Sequence, residues 1–308
     1  MTAGSTFDLH PGDVLSYSAG STQTGPEGFR KLRDRPGLFS AALARWPDIG
    51  AALAGKLPLA INAYPAAIGF MSAGVVVDSY LSPRVLSRAL QLGAAEAMPT
   101  ILIGQSLFLA DALREHLDAG RPVPRTLLVT SGGYTTPRTL EASLRSWLAD
   151  HVDTLLFLHG YGVAEVDAGC MMARERDASG RLIFHPRADV DARVDEHGQL
   201  LLSLRGPEGE RLVEDWATGD SAEASGEGFA LWNHRRMHPV VEAALESWTE
   251  ADWRRRTGYV RREGERVWIQ LRRGAAPDPH RPDAEDELDH WEFGRRHGFA
   301  WLDKPYWR

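Results

Sequence analysis

The sequence predicts an α/β fold in which a mainly parallel sheet flanked by helices is followed by an antiparallel β portion. Two observations predict it. From about residue 57 to 158, apolar strand-like runs alternate with helical patterns, the rhythm of a parallel sheet covered on both faces. After residue 180 the rhythm shortens to alternating strands joined by tight turns, so this half is expected to pair antiparallel.

In chain order, the first informative stretch lies between Lys56 and Asp78, which holds no charge. A membrane span needs only about 20 such residues, but Asn62, Pro65, Gly69 and Gly74 interrupt the run. The β-branched Val75, Val76 and Val77 instead predict a buried strand behind a short apolar helix. Strands are expected at 75–78, 100–104, 126–130 and 154–159. Between them, Leu107, Ala110, Leu113 and Leu117 recur at helical spacing, as do Leu140, Leu144 and Leu148, giving each helix one apolar face. Asp195-Glu196-His197-Gly198 and Glu263-Gly264-Glu265 read as hairpin turns. A helix is expected at 239–248, with Arg254, Arg255 and Arg256 a solvated helix end. Residues 275–289 form an acidic, proline-punctuated linker, and the aromatic-rich stretch 291–308 is too apolar to float freely. No internal repeat is evident.

Composition bounds the function. A chain of 308 residues with 43% apolar side chains can bury a core or two. Its formal charge of −7, without a dense Lys/Arg run, argues against a nucleic-acid partner. The single cysteine, Cys170, forms no internal disulfide, and no signal segment opens the chain, so a cytoplasmic location and no membrane partner are expected. A lone cysteine in Gly169-Cys170-Met171-Met172 reads as buried and inert rather than acyl-carrying. His159 and His234 lack metal-ligand spacing. Oligomeric state is not legible.

Four segments carry chemistry. Residues 17–28, Tyr-Ser-Ala-Gly-Ser-Thr-Gln-Thr-Gly-Pro-Glu-Gly, form a small, hydroxyl-rich loop. Such loops suit phosphate, because glycine lets backbone N–H groups approach the anion and hydroxyls add donors. It is not a Walker loop, since the Gly-Lys-Ser/Thr ending is missing. Ser131-Gly132-Gly133 follows one predicted strand, Tyr161-Gly162-Val163-Ala164-Glu165 follows the next, and Thr218-Gly219-Asp220 lies beyond the first hairpins. Taken singly, each also reads as an ordinary turn or strand end.

In this order the four segments resemble the adenylate-forming superfamily: acyl-CoA synthetases, peptide-synthetase adenylation domains and acyl-protein synthetases. The resemblance covers roughly residues 12 to 236 and implies the following roles. Ser18, Gly20, Ser21 and Thr22 would hold the β- and γ-phosphates of ATP. Gly132, Gly133, Tyr161 and Gly162 would frame the adenine, and Asp220 would accept the ribose hydroxyls. Glu165 would bind Mg²⁺ as a catalytic residue, and Arg235, in the shortened hinge, joins the nucleotide-side residues. Tyr64, Phe70, Tyr134 and His159 are candidate lining for the acid.

The resemblance has gaps. Glu27 or Pro26 stands where the family's phosphate-loop lysine falls, and Ala164 stands for its threonine. Of the three lysines, Lys31, Lys56 and Lys304, the last lies about where a catalytic lysine would return from the tail. Residues 1–236 are thus expected to be an adenylate-forming core. Residues 237–308 are expected to be a reduced, lid-like C-terminal region with a helix, a hairpin and an aromatic tail.

The implied reaction is ATP-dependent activation of a small carboxylic acid as acyl-AMP with release of pyrophosphate. Transfer to the thiol of an acyl carrier protein or CoA would follow. The alternative left open is a non-catalytic relative serving as a nucleotide-binding or partner subunit.

Overall fold

The computed structural model describes the backbone of residues 15–17, 29–31, 45–64, 74–79, 82–163, 165–232, 245–263 and 266–273, and side chains within 45–254. Strands β1 (Leu15–Tyr17) and β2 (Phe29–Lys31) pair antiparallel on either side of the hydroxyl-rich loop, whose residues 18–28 lie outside the described residues.

The parallel part of the main sheet comprises β3 (Leu59–Ala63), β4 (Val75–Asp78), β5 (Thr100–Gly104), β6 (Thr126–Gly132) and β7 (Thr154–Val163). The antiparallel part comprises β8 (Asp167–Arg176), β9 (Leu182–Pro186), β10 (Val190–Val194), β11 (Gln199–Arg205), β12 (Arg211–Ser225) and β13 (Gly228–Trp232). All eleven form one sheet in the order β10-β11-β12-β13-β9-β8-β7-β6-β5-β3-β4. β7 is the junction, parallel to β6 on one side and antiparallel to β8 on the other. The Asp195–Gly198 turn joins β10 to β11 as expected, held by the Gly198 N–H donating to the Asp195 carbonyl at 3.1 Å.

Helices α1 (Pro47–Leu53), α2 (Pro83–Ala95), α3 (Ser106–Asp118) and α4 (Arg138–Leu148) accompany the parallel strands. α2 starts where Ser82 caps the Val85 N–H and Pro83 fills a first-turn position that lacks an N–H partner anyway. The steps β4-α2-β5-α3-β6-α4-β7 all advance in one direction, so right-handed crossovers place these three helices on one face. Leu86, Leu90, Leu107, Leu144 and Trp147 pack there against Leu59, Ile61, Leu102 and Val129. Each fully buried leucine contributes about 1.5–3 kcal/mol. On the opposite face Trp46 and Ile49 cover Ala60, Ile101, Leu128 and Leu158. The α1 segment also reaches the antiparallel half: Arg174 donates to Asp48 at 2.6 Å, and the Trp46 indole donates to Glu175 at 2.7 Å.

Two sequence expectations fail in the first parallel unit. Residues 59–63 of the stretch expected to hold an apolar helix form strand β3, and all five are buried. A strand buried on both faces shows no alternation, so its apolar run mimics a core helix. Conversely, 75–78, expected to be buried, is the edge strand, with Val75 exposed.

Helix α3 is buried nearly all round, including the Asp111–Arg114 ion pair at 3.1 Å. Its outer side is taken by β14 (Arg256–Glu263), which pairs with β15 (Arg266–Arg273) after a short helix α5 (Glu250–Arg255). Leu245 and Trp253 join the helix-side core, and the Trp253 indole donates to Thr139 Oγ1 at 3.0 Å. Of the helix expected at 239–248, residues 239–244 lie outside the described residues, as do the linker and the aromatic tail. Among the described residues, no helix is long and apolar enough to cross a membrane.

Candidate functional site

The chain leaves β3 for β4 on one side and β5 for β6 on the other, which opens a crevice at the carboxyl ends of β3 and β5. Tyr64 follows β3, Gln105 follows β5, and the Gly132-Gly133 turn follows β6. Gly133 has φ +92°, and a Cβ there would come within 2.6 Å of the Tyr64 hydroxyl and 3.4 Å of Gln105 Nε2. Only glycine fits both the dihedral and the space. Behind it, the Tyr134 hydroxyl accepts the Leu107 N–H at 3.0 Å, and burial pushes its phenol pKa up.

One strand further on, Gly132 pairs with Gly160 in register, which sets Tyr161 beside the turn. The Tyr161 hydroxyl donates to Asp220 Oδ2 at 2.6 Å, both residues being more than nine-tenths buried. Burial raises the Tyr161 pKa well above its usual value, and the Asp220 charge adds to it, so the phenol stays a proton donor. Asp220 is set by an irregularity inside β12, where the register with β11 shifts between Ala217 and Ser221. The Asp220 N–H donates to Thr218 Oγ1 at 3.1 Å, while the Thr218 hydroxyl donates to the Leu200 carbonyl at 2.9 Å. Gly219 supplies φ +80°. Gly132, Gly133, Tyr161 and Asp220, about 90 residues apart in sequence, thus converge on the junction strand.

Gly162 lets β8 close in, since a Cβ there would lie 2.6 Å from the Gly169 N. The following turn carries Glu165 at its tip, half-buried. Among the described residues no group of three His, Cys, Asp or Glu side chains is placed to hold a metal. Mg²⁺ keeps its waters and takes one or two carboxylates together with substrate phosphates, so the half-buried Glu165 would supply one ligand of such a set. Ser18, Gly20, Ser21, Thr22, Phe70, Arg235 and Lys304 lie outside the described residues.

His159 is not open to the crevice; it is held beneath the Gly-Gly turn. Its Nδ1 lies 3.0 Å from Ser131 Oγ, which also bonds Thr136 Oγ1 at 2.7 Å, and its Nε2 lies 3.3 Å from Glu141 Oε2. Arg145 donates to Glu141 at 2.7 Å, and Arg176 to the Thr136 carbonyl at 3.2 Å. Burial lowers the His159 pKa, so the ring is neutral at pH 7, accepting from Ser131 and donating to Glu141. Burial opposes ionisation of Glu141, but hydrogen bonds from His159 and Arg145 and the Arg145 charge outweigh it and hold its pKa at about 2.

Cys170 is fully buried, and its thiol donates to the Asp167 carbonyl at 3.0 Å. Burial pushes its pKa up to about 12, which disfavours the thiolate at neutral pH, in keeping with a buried, inert cysteine.

Sequence reasoning missed Glu141, Arg145, Arg176 and Gln105. The Glu141–Arg145 pair was visible as an i,i+4 spacing, and Gln105 as the residue between a strand and its crossover helix. Nothing in the sequence signalled Arg176.

No protein-family model and no curated protein matches the sequence. Among solved structures, the chain superposes on the anthranilate CoA ligase AuaEII, crystallised with anthranoyl-AMP. The TM-score is 0.52 at 15% identity, over 95% of this chain and 64% of that one. It also aligns at a TM-score of 0.45 with an acyl-CoA synthetase (AMP-forming)/AMP-acid ligase II-like protein from Dyadobacter fermentans, at 14% identity over 94% of this chain and 84% of that one. With the amide bond synthetase McbA from Marinactinospora thermotolerans the TM-score is 0.47, at 17% identity over 89% and 62%. The chain therefore spans 64% of the length of the anthranilate CoA ligase, whose fold it shares.

Proposed function

We propose that this chain activates a small carboxylic acid by joining it to AMP from ATP, with pyrophosphate as the leaving group. The observation that supports it most is the buried Tyr161–Asp220 pair standing beside the Gly132-Gly133 turn, where only glycine fits at 133. A carboxylate placed this way accepts ribose hydroxyls through charge-assisted hydrogen bonds worth about 1.5–3 kcal/mol. Tyr161 fixes its rotamer, and the Gly132-Gly133 backbone leaves a flat edge for the adenine.

In this reading Ser18, Gly20, Ser21 and Thr22 hold the outer phosphates, and Glu165 holds Mg²⁺, which neutralises charge on the phosphates when bound. Arg235 and Lys304 approach the nucleotide and the reacting carboxylate. Catalysis is then chiefly positioning: the acid's carboxylate oxygen is held in line with the α-phosphorus and the pyrophosphate side. Residues 1–236 act as the core and 237–308 as its reduced C-terminal region. Transfer to a CoA or carrier-protein thiol would complete the reaction in the cytoplasm.

The test is pyrophosphate release from ATP with a panel of acids, with hydroxylamine trapping the activated acyl group. Release that depends on both Mg²⁺ and a cognate acid, and that is lost in Glu165→Ala and Asp220→Ala, supports the reading. ATP binding without any hydroxamate points to a nucleotide-binding subunit instead.

A further inference from the structure

Helix α3 begins at the crevice. Its N-cap residue, Gln105, makes no side-chain cap bond, although capping would satisfy one of the helix's unpaired N–H groups. Gln105 is 2% exposed, and among the described residues its Oε1 has no hydrogen-bond partner. Its amide nitrogen stands within 3.4 Å of the position a Gly133 Cβ would take, and the Tyr64 hydroxyl within 2.6 Å of the same point. A buried amide without a partner is costly, and proteins keep one where a ligand or water completes it. The thirteen-residue helix adds its positive end to the same place.

We infer that the crevice at the ends of β3 and β5 selects a small acid carrying a hydroxyl or amino substituent, which hydrogen-bonds the Gln105 amide. This rests on the activation reading above, since it names the substrate class for that site. The substituent is small because Tyr64, Gln105 and Gly133 crowd one point, and polar because an apolar group there leaves the amide unpaired. A site built to bond a substrate hydroxyl or amine rejects the analogue lacking it far more strongly than an apolar pocket rejects a methyl. Gln105 is thus a specificity-determining residue.

The experiment compares matched benzoic and short aliphatic acids bearing a hydroxyl, amino or methyl group at the same position. Binding to the full chain is measured by calorimetry, and hydroxamate formation is followed in parallel. Hydroxy or amino acids are expected to bind at least about tenfold tighter than their methyl partners. Gln105→Leu and Gln105→Met are expected to erase that difference and to raise Tm, because each removes the unpaired amide. Equal binding of polar and methyl acids overturns the inference, as does a preference that survives in both variants, or a fall in Tm in both, which would mark water or a structural bond as the partner. If polar acids bind selectively yet no hydroxamate forms, the activation reading falls and the specificity stands. Hydroxamates formed equally from both classes overturn the specificity and leave activation standing.

Discussion

The two sides of the junction strand treat buried polar groups differently. On the antiparallel side, Arg187 is fully engaged. Its Nε and Nη2 hold Asp189 at 3.0 Å each, Nη2 holds Asp167 at 2.8 Å, and Nη1 donates to the Ala168 carbonyl at 3.0 Å. Asp167 in turn accepts the Ala168 N–H at 2.9 Å. On the parallel side, at the carboxyl ends, Gln105 keeps an unpaired oxygen beside Gly133 and the Tyr64 hydroxyl. The closed cluster holds β8 to the β9–β10 turn, whereas the open crevice has capacity left for a ligand. Saturation of hydrogen-bond capacity is what separates the Arg187 cluster from Gln105.

The largest effect should come from opening the closed cluster. Arg187→Met takes the guanidinium away from the buried Asp167 and the half-buried Asp189, and we expect a loss of about 3–5 kcal/mol in urea unfolding at pH 7. A loss below about 1 kcal/mol would erase the contrast.

Next is the Glu141–His159 network. The folded pKa of Glu141, about 2, lies below its ordinary value of 4.5, so Glu141 binds protons more readily when unfolded. Its stabilisation is therefore complete above about pH 4.5 and lost as pH falls towards 2, amounting at most to about 3 kcal/mol. His159 acts in the same direction, with stability falling as pH drops below its ordinary value of 6.5. Denaturation midpoints across pH 2–7 should show the decline, and Glu141→Gln should flatten the segment below 4.5.

On the open side, Asp220→Ala should weaken ATP binding by about 10- to 150-fold, the equivalent of one charge-assisted bond, in equilibrium dialysis. Tyr161→Phe should retain part of that affinity, because it loses only the group that orients Asp220. Equal losses would make the phenol itself a ligand contact.

The smallest effect is expected at Cys170. Iodoacetamide should leave the folded chain unmodified and label it only on unfolding, and Cys170→Ala should cost about 1 kcal/mol while sparing activity. Rapid labelling of the native chain would contradict its burial.

Much of this was legible in advance where a local rule operates. The helical spacing of Leu140, Leu144 and Leu148 marks α4, and Asp195–Gly198 marks its hairpin, because periodicity and turn chemistry act over a few residues. β3 escaped, since an all-buried strand has no alternation to read. His159 looked like pocket lining from its place two residues before Tyr161, yet both its ring nitrogens are taken beneath the turn.

The sequence by itself determined which residue types stand in each segment: the glycines of 132–133, the Thr-Gly-Asp of β12, the tyrosine near the end of β7 and the glutamate that follows it. Only the tertiary structure decided that the Tyr161 phenol meets Asp220 across 59 residues, that Cys170 is sealed beside Asp167, and that Gln105 Oε1 has no partner. Backbone conformation and apolar spacing are local quantities. Whether a polar group finds its partner depends on how distant strands are ordered in the sheet, and that order is fixed only when the whole core packs.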